Sequence, residues 1–551
     1  MSNAERIAAA DQALAGAPRS SVNHRLRWLR YGGAAVIVVG AAAICGWTWL
    51  RVDFDDQRLF LTTAPTIAGA SIALVAWLLL TAPWRWVTKG MVIAAIGVAV
   101  LVVMAAVRIE GTSGNVVPRL AWRWTPKHYF QLDADFPDLT GQPADLKTTT
   151  PNDFAQFLGA DRQATVTGPA LARDWNAHPP RELWRREIGA GWGQFAIVGD
   201  YAVTQEQRGE NEMVFCYEVL TGKPVWRHAD EARFDEIVSG AGPRSTPTIV
   251  DGRVYTVGAT GRMNCLDGAT GEVVWTHENI LKENDALQPD GTMRLNWGLS
   301  VSPLVVDDLV VVNPGGKAGH ALVAYNRETG NVVWNTGDDR TCYSSPHLCT
   351  LGGQRQIVVF YQDCVVGHEP KDGHELWRYE WPSINSRCSQ PLALGDDVLV
   401  SAGYGDGSAL IGLVKNEGGA ETIGNRWSEK NKRNLKSKFA NMVLFEGNVY
   451  GLDDGVLACV DAATGARRWK SGRYGHGQLL LVNDLLIVQA ENGNLILVEP
   501  NPKKLIEHGR IPALHDSEWS SEVTWNNPAI SGRHLLVRNA RLAICYELAV
   551  E

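Results

Sequence analysis

Up to residue 107 the apolar positions of this chain run together; beyond residue 181 they come in short bursts broken by tight turns. The first part holds three near-continuous apolar runs, at 31–50, 59–80 and 91–107. Each approaches the roughly twenty residues that a helix needs to cross a bilayer core. Trp47, Trp49, Trp77, Trp84 and Trp86 gather at their ends, where amphipathic rings settle at a membrane–water boundary. Three such runs in succession, each flanked by charge, argue against a buried soluble hairpin and predict three transmembrane α-helices. Arg25, Arg27 and Arg30 precede the first run, and Arg85 and Lys89 lie in the second loop, whereas the first loop balances its Arg with three Asp. The positive-inside rule then places residues 1–30 in the cytoplasm and everything after the third run outside. Two further spans after the first argue against a cleaved signal peptide, and Ile44 before Cys45 argues against a lipid anchor there.

The second part repeats. A small strand residue is followed six positions on by Gly and four later by Trp in Cys216…Gly222…Trp226, Cys265…Gly271…Trp275, Ala324…Gly330…Trp334, Gly367…Gly373…Trp377 and Cys459…Gly465…Trp469. Such spacing predicts strand, tight Thr-Gly turn, strand, with one aromatic docked per unit. The units begin with a Ser-Pro-type signal: Ser245-Thr-Pro247, Ser302-Pro303, Ser345-Pro346 and Ser389-Gln-Pro391. A fifth unit drifts, with Leu413 and Gly419 in register and a basic insertion at 426–438; a seventh keeps its strands and loses its Trp; an eighth stops one strand short. The segment at 181–188 is a spare strand bearing Trp184. A ring whose last blade is completed by this N-terminal strand accounts for both ends and leaves no open sheet edge. Residues 181–548 over eight units give about 46 residues each, the period of four-stranded blades. The predicted fold is an all-β eight-bladed β-propeller of antiparallel blades at 151–551, with seven blades if the fifth or seventh unit is incomplete. Residues 108–150, rich in Pro and Thr, are read as a linker.

Composition agrees with this picture. There are 55 Gly and 21 Trp, as many turns and docking aromatics require. A net charge of −8 without a long basic block argues against a nucleic-acid partner. Four of the nine cysteines, Cys216, Cys265, Cys459 and Cys545, hold one register position in different blades, too far apart to bridge. Cys342, Cys349, Cys364 and Cys388 leave room for one disulfide in an exported domain. No Cys-x-x-Cys, zinc-type His pair or phosphate-cradling loop is present.

The Asp-x-x-Thr-Gly-x-x-x-Trp turn with Ser-x-Pro strand starts resembles the pyrroloquinoline-quinone-like (quinoprotein-type) β-propeller family across roughly residues 150–551. Gly191–Arg208, Asn296–Pro303 and Gly472–Gln478 are similar to a membrane-anchored bacterial branch related to the propeller lipoprotein of outer-membrane β-barrel assembly. One set of relatives implies a quinone-dependent alcohol or sugar dehydrogenase. Its cofactor, pyrroloquinoline quinone (PQQ) with calcium, sits on an adjacent-cysteine disulfide, a stacking Trp and a carboxylate/amide set with a catalytic Asp. No Cys-Cys occurs here, and no carboxylate stands out from turn residues such as Asp267, Glu328 or Asp461. The other relative implies a non-catalytic propeller that binds proteins.

Trp184, Trp226, Trp275, Trp334, Trp377 and Trp469 keep a fixed register, which assigns them to packing between blades rather than to cofactor stacking. Candidate ligand residues lie where the repeat breaks: Arg473, Tyr474, His476 and Gln478 in a Gly-flexed loop, and Arg244, Asn296 and Trp297 before inner strands, facing the channel. The insertion at 426–438 is either a solvated surface or a dock for an acidic partner or anionic headgroups. The expectation is a multi-pass protein of the bacterial inner membrane, its propeller on the periplasmic side, binding a protein partner in the cell envelope without catalysis or cofactor. A PQQ-dependent dehydrogenase and a polysaccharide-binding or sensory propeller are the alternatives.

Overall fold

The computed structural model describes residues 19–51, 56–132, 139, 141–415, 421–428, 430, 432–515 and 523–551. Residues 1–18 of the N-terminal tail and Gly419 of the fifth unit lie outside them. The chain forms two compact units, one built from the N-terminal helices and one from the propeller with the segment leading into it.

The helical unit holds α1 (Arg19–Arg51), α2 (Asp56–Thr81) and α3 (Trp86–Ala106). Within them Tyr31–Leu50, Gln57–Thr81 and Trp86–Ala106 are long and apolar enough to cross a membrane. The third begins five residues before the sequence expectation, because Trp86, Val87 and Lys89 complete its first turn. Lys89 rests over the Trp86 ring at 5.0 Å, leaving its charge at the helix end.

The second unit is the expected eight-bladed ring. Blades 1–8 span 196–230, 248–277, 304–336, 347–380, 392–425, 443–473, 478–512 and 529–547, each an antiparallel meander running from the channel outward. Blade 8 supplies three strands itself, and Arg181–Glu187 completes it from outside, pairing Trp184 with Cys545. The seam is clamped by Arg538, fully buried in blade 8, which donates to Thr204 Oγ1 (2.7 Å) and to the carbonyls of Gln205 and Gly189 (2.9 and 3.0 Å). The fifth and seventh units are both full blades. Blade 7 gains a short parallel strand, Thr165–Val166, along Leu481–Val482.

The core has no single centre. Each apolar cluster is shared by neighbouring sheets, as where Val203, Val214 and Trp226 of blade 1 meet Ile249, Val254 and Leu266 of blade 2. The sequence signature follows from this packing. Each repeat Trp lies opposite a small residue of the adjacent strand, so Trp226 faces Cys216, Trp334 faces Ala324 and Trp377 faces Gly367. Its ring also covers the turn Gly of the next blade. A Cβ on Gly222 would meet the Trp184 ring at 2.6 Å, and one on Gly271 the Trp226 ring at 2.5 Å. These glycines stand at φ +65 and +77, where a side chain would be strained as well as obstructed. The indole N–H then donates to that blade's turn, from Trp226 to the Gly268 carbonyl at 2.8 Å and from Trp275 to that of Arg327 at 2.9 Å. Gly and Trp of one repeat thus serve two different interfaces.

Candidate binding site at the mouth of the channel

In this topology the linkers between blades and the turns joining each blade's second and third strands gather on one face, here the first face. The tight hairpins gather on the second. The Ser/Thr-Pro signals sit where each linker enters the channel. There a side-chain oxygen accepts the backbone N–H of the preceding blade's counterpart: Gln194 N–H to Thr246 Oγ1 (3.0 Å), Thr246 to Ser302 Oγ (2.9 Å), Ser302 to Ser345 Oγ (2.9 Å). Gln390 to Asn441 (2.9 Å) and Asn441 to Gln478 (3.2 Å) continue the belt. Proline follows immediately before the first strand residue (Thr248, Leu304, His347 or Leu392), where no ladder donor is lost.

From the second face the chain pushes its own segment into the channel. Phe154 exchanges backbone hydrogen bonds with Ile197 of blade 1 (2.9 and 2.8 Å), and Leu158 N–H donates to Gln194 Oε1 (3.0 Å). Arg162, 2% exposed, donates to the carbonyls of Ser302 (3.3 Å), Pro346 (2.9 Å) and Pro303, and to Gln156 Oε1 (2.9 Å). Burial alone brings its pKa down to about 9. His347 beside it is brought down to about 3 by burial and by the Arg162 charge, and is neutral at physiological pH.

The first face carries an aromatic arc. Trp192 and Trp525 lie 4.8 Å apart, Trp525 and Phe439 5.2 Å, and Phe439 and His476 5.2 Å. Farther round the mouth, Lys438 stands over Tyr404 at 5.4 Å and Trp297 stacks on Tyr343 at 5.0 Å. Glu491, in a turn of blade 7, accepts from Trp525 Nε1 and from the His476 N–H, both at 3.0 Å. Glu212 of blade 1 is buried, held by the Ala259 N–H at 3.1 Å, and burial raises its pKa to about 7 against the pull of Arg244.

The first part of the stretch read as a linker, through residue 130, lies on this face. It forms a hairpin of β1 (Val107–Thr112) and β2 (Pro118–Trp122), then a short 3-10 turn at His128–Phe130. Thr112 Oγ1 donates to the Val238 carbonyl at 3.2 Å, Gly114 N–H to Glu491 Oε1 at 2.6 Å, and Tyr129 OH to Asp235 at 2.8 Å. Farther along, Leu146 joins the core between blades 1 and 2.

The residues singled out from sequence do not form one cluster. His476 is fully buried at the mouth, 3.5 Å from Lys438 Nζ, and burial with the Lys438 charge holds its pKa well below the usual value. Gln478 is a belt residue, donating to the carbonyls of Phe439 (2.9 Å) and Trp525 (3.0 Å). Tyr474 is buried toward the outer strand, its hydroxyl on Glu507, and Arg473 is exposed. Arg244 lies over Phe234 at 4.2 Å and donates to the carbonyls of Gly240 (2.6 Å) and Ser239 (3.2 Å), so its charge is spent on folding its own linker. Trp297 is in the arc, and Asn296 is exposed. In the insertion, Arg426 pairs with Asp397 (2.7 Å), Lys436 pairs with Asp454 and Lys438 is buried, while Lys430 and Arg433 are exposed. Glu491, Trp525, Phe439 and Trp192 carried no repeat signal, because their meeting depends on ring closure.

Trp184, Trp226 and Trp275 dock as described; Trp334 covers Gly373 without an indole hydrogen bond, and Trp469 donates to the Asn501 carbonyl at 2.7 Å without covering a Gly. Trp377 instead donates to Gln356 of its own blade. Trp427, which the repeat register does not mark, covers Gly465 of blade 6 and donates to the Ala462 carbonyl at 3.0 Å. All nine cysteines are free thiols, Cys342, Cys349, Cys364 and Cys388 among them.

The carboxylates at the mouth are already engaged. Glu491 is occupied by three N–H donors, and Asp406 accepts from Ser383, Asn385 and Arg387. Among the described residues no group of three His, Cys, Asp or Glu side chains converges to hold a metal. A groove of about 600 Å³ opens on the second face between blades 8 and 1, bordered by Asn152, Pro169, Leu220, Arg533 and Val550.

Comparison with known proteins follows the same lines. BamB, the outer membrane protein assembly factor of Shewanella oneidensis, is 24% identical over 303 residues, 53% of this chain and 67% of that protein. The quinoprotein ethanol dehydrogenase of Pseudomonas putida is 27% identical over 150 residues, 25% of this chain and 22% of the enzyme. The solved quinohemoprotein alcohol dehydrogenase from Comamonas testosteroni matches with a TM-score of 0.50 and 12% identity, over 74% of this chain and 82% of that one, a likeness of fold. The family profile described as outer membrane protein assembly factor BamB matches residues 174–294 and 286–471, more than half of the chain, which therefore belongs to this family of PQQ-like β-propellers.

Proposed function

We propose that the chain is a non-catalytic scaffold, anchored in the bacterial inner membrane by its three helices, whose propeller holds a protein partner on the periplasmic side. The observation that carries this reading is the filling of the channel by the chain itself. Arg162 and its segment occupy it from the second face, and the Gly114 turn is seated at the first. What is left to a partner is surface, and a rigid ring of blades presents surface well. Kinship with an assembly factor supports the same reading, and Arg25, Arg27 and Arg30 just before the first apolar span, Tyr31–Leu50, support the orientation.

One observation favours a second reading. The Trp192–Trp525 pair at the mouth offers flat faces to a planar ligand, and kinship with a quinoprotein dehydrogenase points the same way. The two readings separate in a titration of the full-length protein in nanodiscs with PQQ and Ca²⁺, followed by Trp fluorescence and alcohol-dependent dye reduction. The scaffold reading expects neither saturable quenching nor turnover. Stoichiometric, Ca²⁺-dependent quinone binding would replace it with the dehydrogenase.

A further inference from the structure

The turn between β1 and β2 is held at the mouth by groups that belong to the propeller. Its Gly114 N–H points at Glu491 Oε1 at 2.6 Å, on a carboxylate already fixed by Trp525 Nε1 and the His476 N–H. A Cβ at position 114 would lie 2.3 Å from His476 Cδ2 and 2.9 Å from Glu491 Oε1, so only glycine fits this seat. On the hairpin's side the contact uses main chain alone, which any tight turn with glycine at the same place reproduces. Trp192 Nε1, in the adjoining arc, has no hydrogen-bond partner and offers a further donor to an incoming carbonyl. The occupying turn is also strained: Val116 stands at φ +62, a region that β-branched residues avoid. A strained turn on a built seat is easier to exchange than a relaxed one.

We propose that the first-face mouth is a docking site for a glycine-bearing turn of a partner protein, and that the β1–β2 hairpin fills it in cis as a displaceable surrogate. The inference rests on the scaffold reading and gives it a location and a partner chemistry. Occupancy by the chain's own hairpin keeps the seat closed until a partner competes for Glu491 and the aromatic arc.

The test uses the full chain in nanodiscs with a fluorescent peptide of residues 109–122 as the probe. Gly114→Val should unseat the hairpin in cis, raising amide exchange at 109–122 while the Gln478–Val482 strand stays protected, and should strengthen peptide binding at least ten-fold over the unsubstituted protein. Adding Glu491→Gln should abolish that gain, and a peptide with Val in place of Gly114 should not bind. Glu491→Gln alone, a near-isosteric change, should raise exchange at 109–122 even where Gly114→Val disturbs folding. Unchanged exchange at 109–122 in the folded variants, or an opened mouth that leaves peptide affinity unchanged, would overturn the inference. Either result leaves the scaffold reading to the quinone titration, which does not involve the hairpin.

Discussion

Glu212 shows how one buried carboxylate ties the mouth to pH. Its Oε1 has the Ala259 N–H, while its Oε2 has no hydrogen-bond partner, and burial raises its pKa from 4.5 to about 7. A carboxylate with a raised folded pKa costs nothing while protonated in both states, below pH 4.5. The cost then grows as pH rises toward 7, to roughly 3 kcal/mol of stability above it. Glu212→Gln keeps the acceptor and removes the charge. The variant should therefore resist denaturant better than the natural protein at pH 8 and equally at pH 4.5. A gain of the same size at both pH values would assign the effect to packing instead. Arg162 is the opposite case, a buried cation whose donors are spent on inner-strand carbonyls, and it belongs to the plug rather than to a ligand.

At the scale of elements, the unit of stability is the contact between a Trp and the turn of the next blade. Trp226 and Trp427 make this contact alike, at 4% and 3% exposure, each over a left-handed Gly and each donating to a turn carbonyl. Trp226→Ala and Trp427→Ala should therefore each cost about 3–5 kcal/mol in denaturant unfolding, the range for truncating a buried aromatic. A cost below about 1 kcal/mol for Trp427→Ala would separate it from the repeat set. The sequence marks Trp226 because its strand follows the turn at the common spacing. It hides Trp427, which follows the Glu421–Asn425 strand of blade 5 and reaches the same place by a longer path.

At the scale of the whole molecule, closure by Arg181–Glu187 makes the blades one cooperative ring rather than an open array, whose repeats would depend only on their neighbours. Successive strand residues point their N–H groups in opposite directions, so proline at both Arg185 and Arg186 must remove a ladder donor whichever way the strand lies. The double variant should lower the unfolding midpoint and raise amide exchange in every blade, blades 3 and 4 included. Exchange confined to blades 8 and 1 would show instead that the ring tolerates an open seam.

By itself the sequence determined the three apolar spans, the eight units and the shared last blade. Each is written in local spacing: the length of an apolar run, the Gly-to-Trp interval, a spare strand with Trp184 and a missing one after Cys545. The free thiols of Cys216, Cys265, Cys459 and Cys545 followed from the same register. Only the tertiary structure decided what fills the ring. Gly114 and Glu491, 377 residues apart, meet at 2.6 Å because closure brings blade 7 under the N-terminal hairpin, and nothing in either local pattern encodes that distance. Tyr474 and His476 are two residues apart in sequence but sit in different surroundings, one at an outer strand and the other at the channel, because the backbone turns inward between them. Repeats expose their spacing because every copy meets the same neighbour. A site assembled from linkers has no copies, and its residues become legible only once the ring has closed.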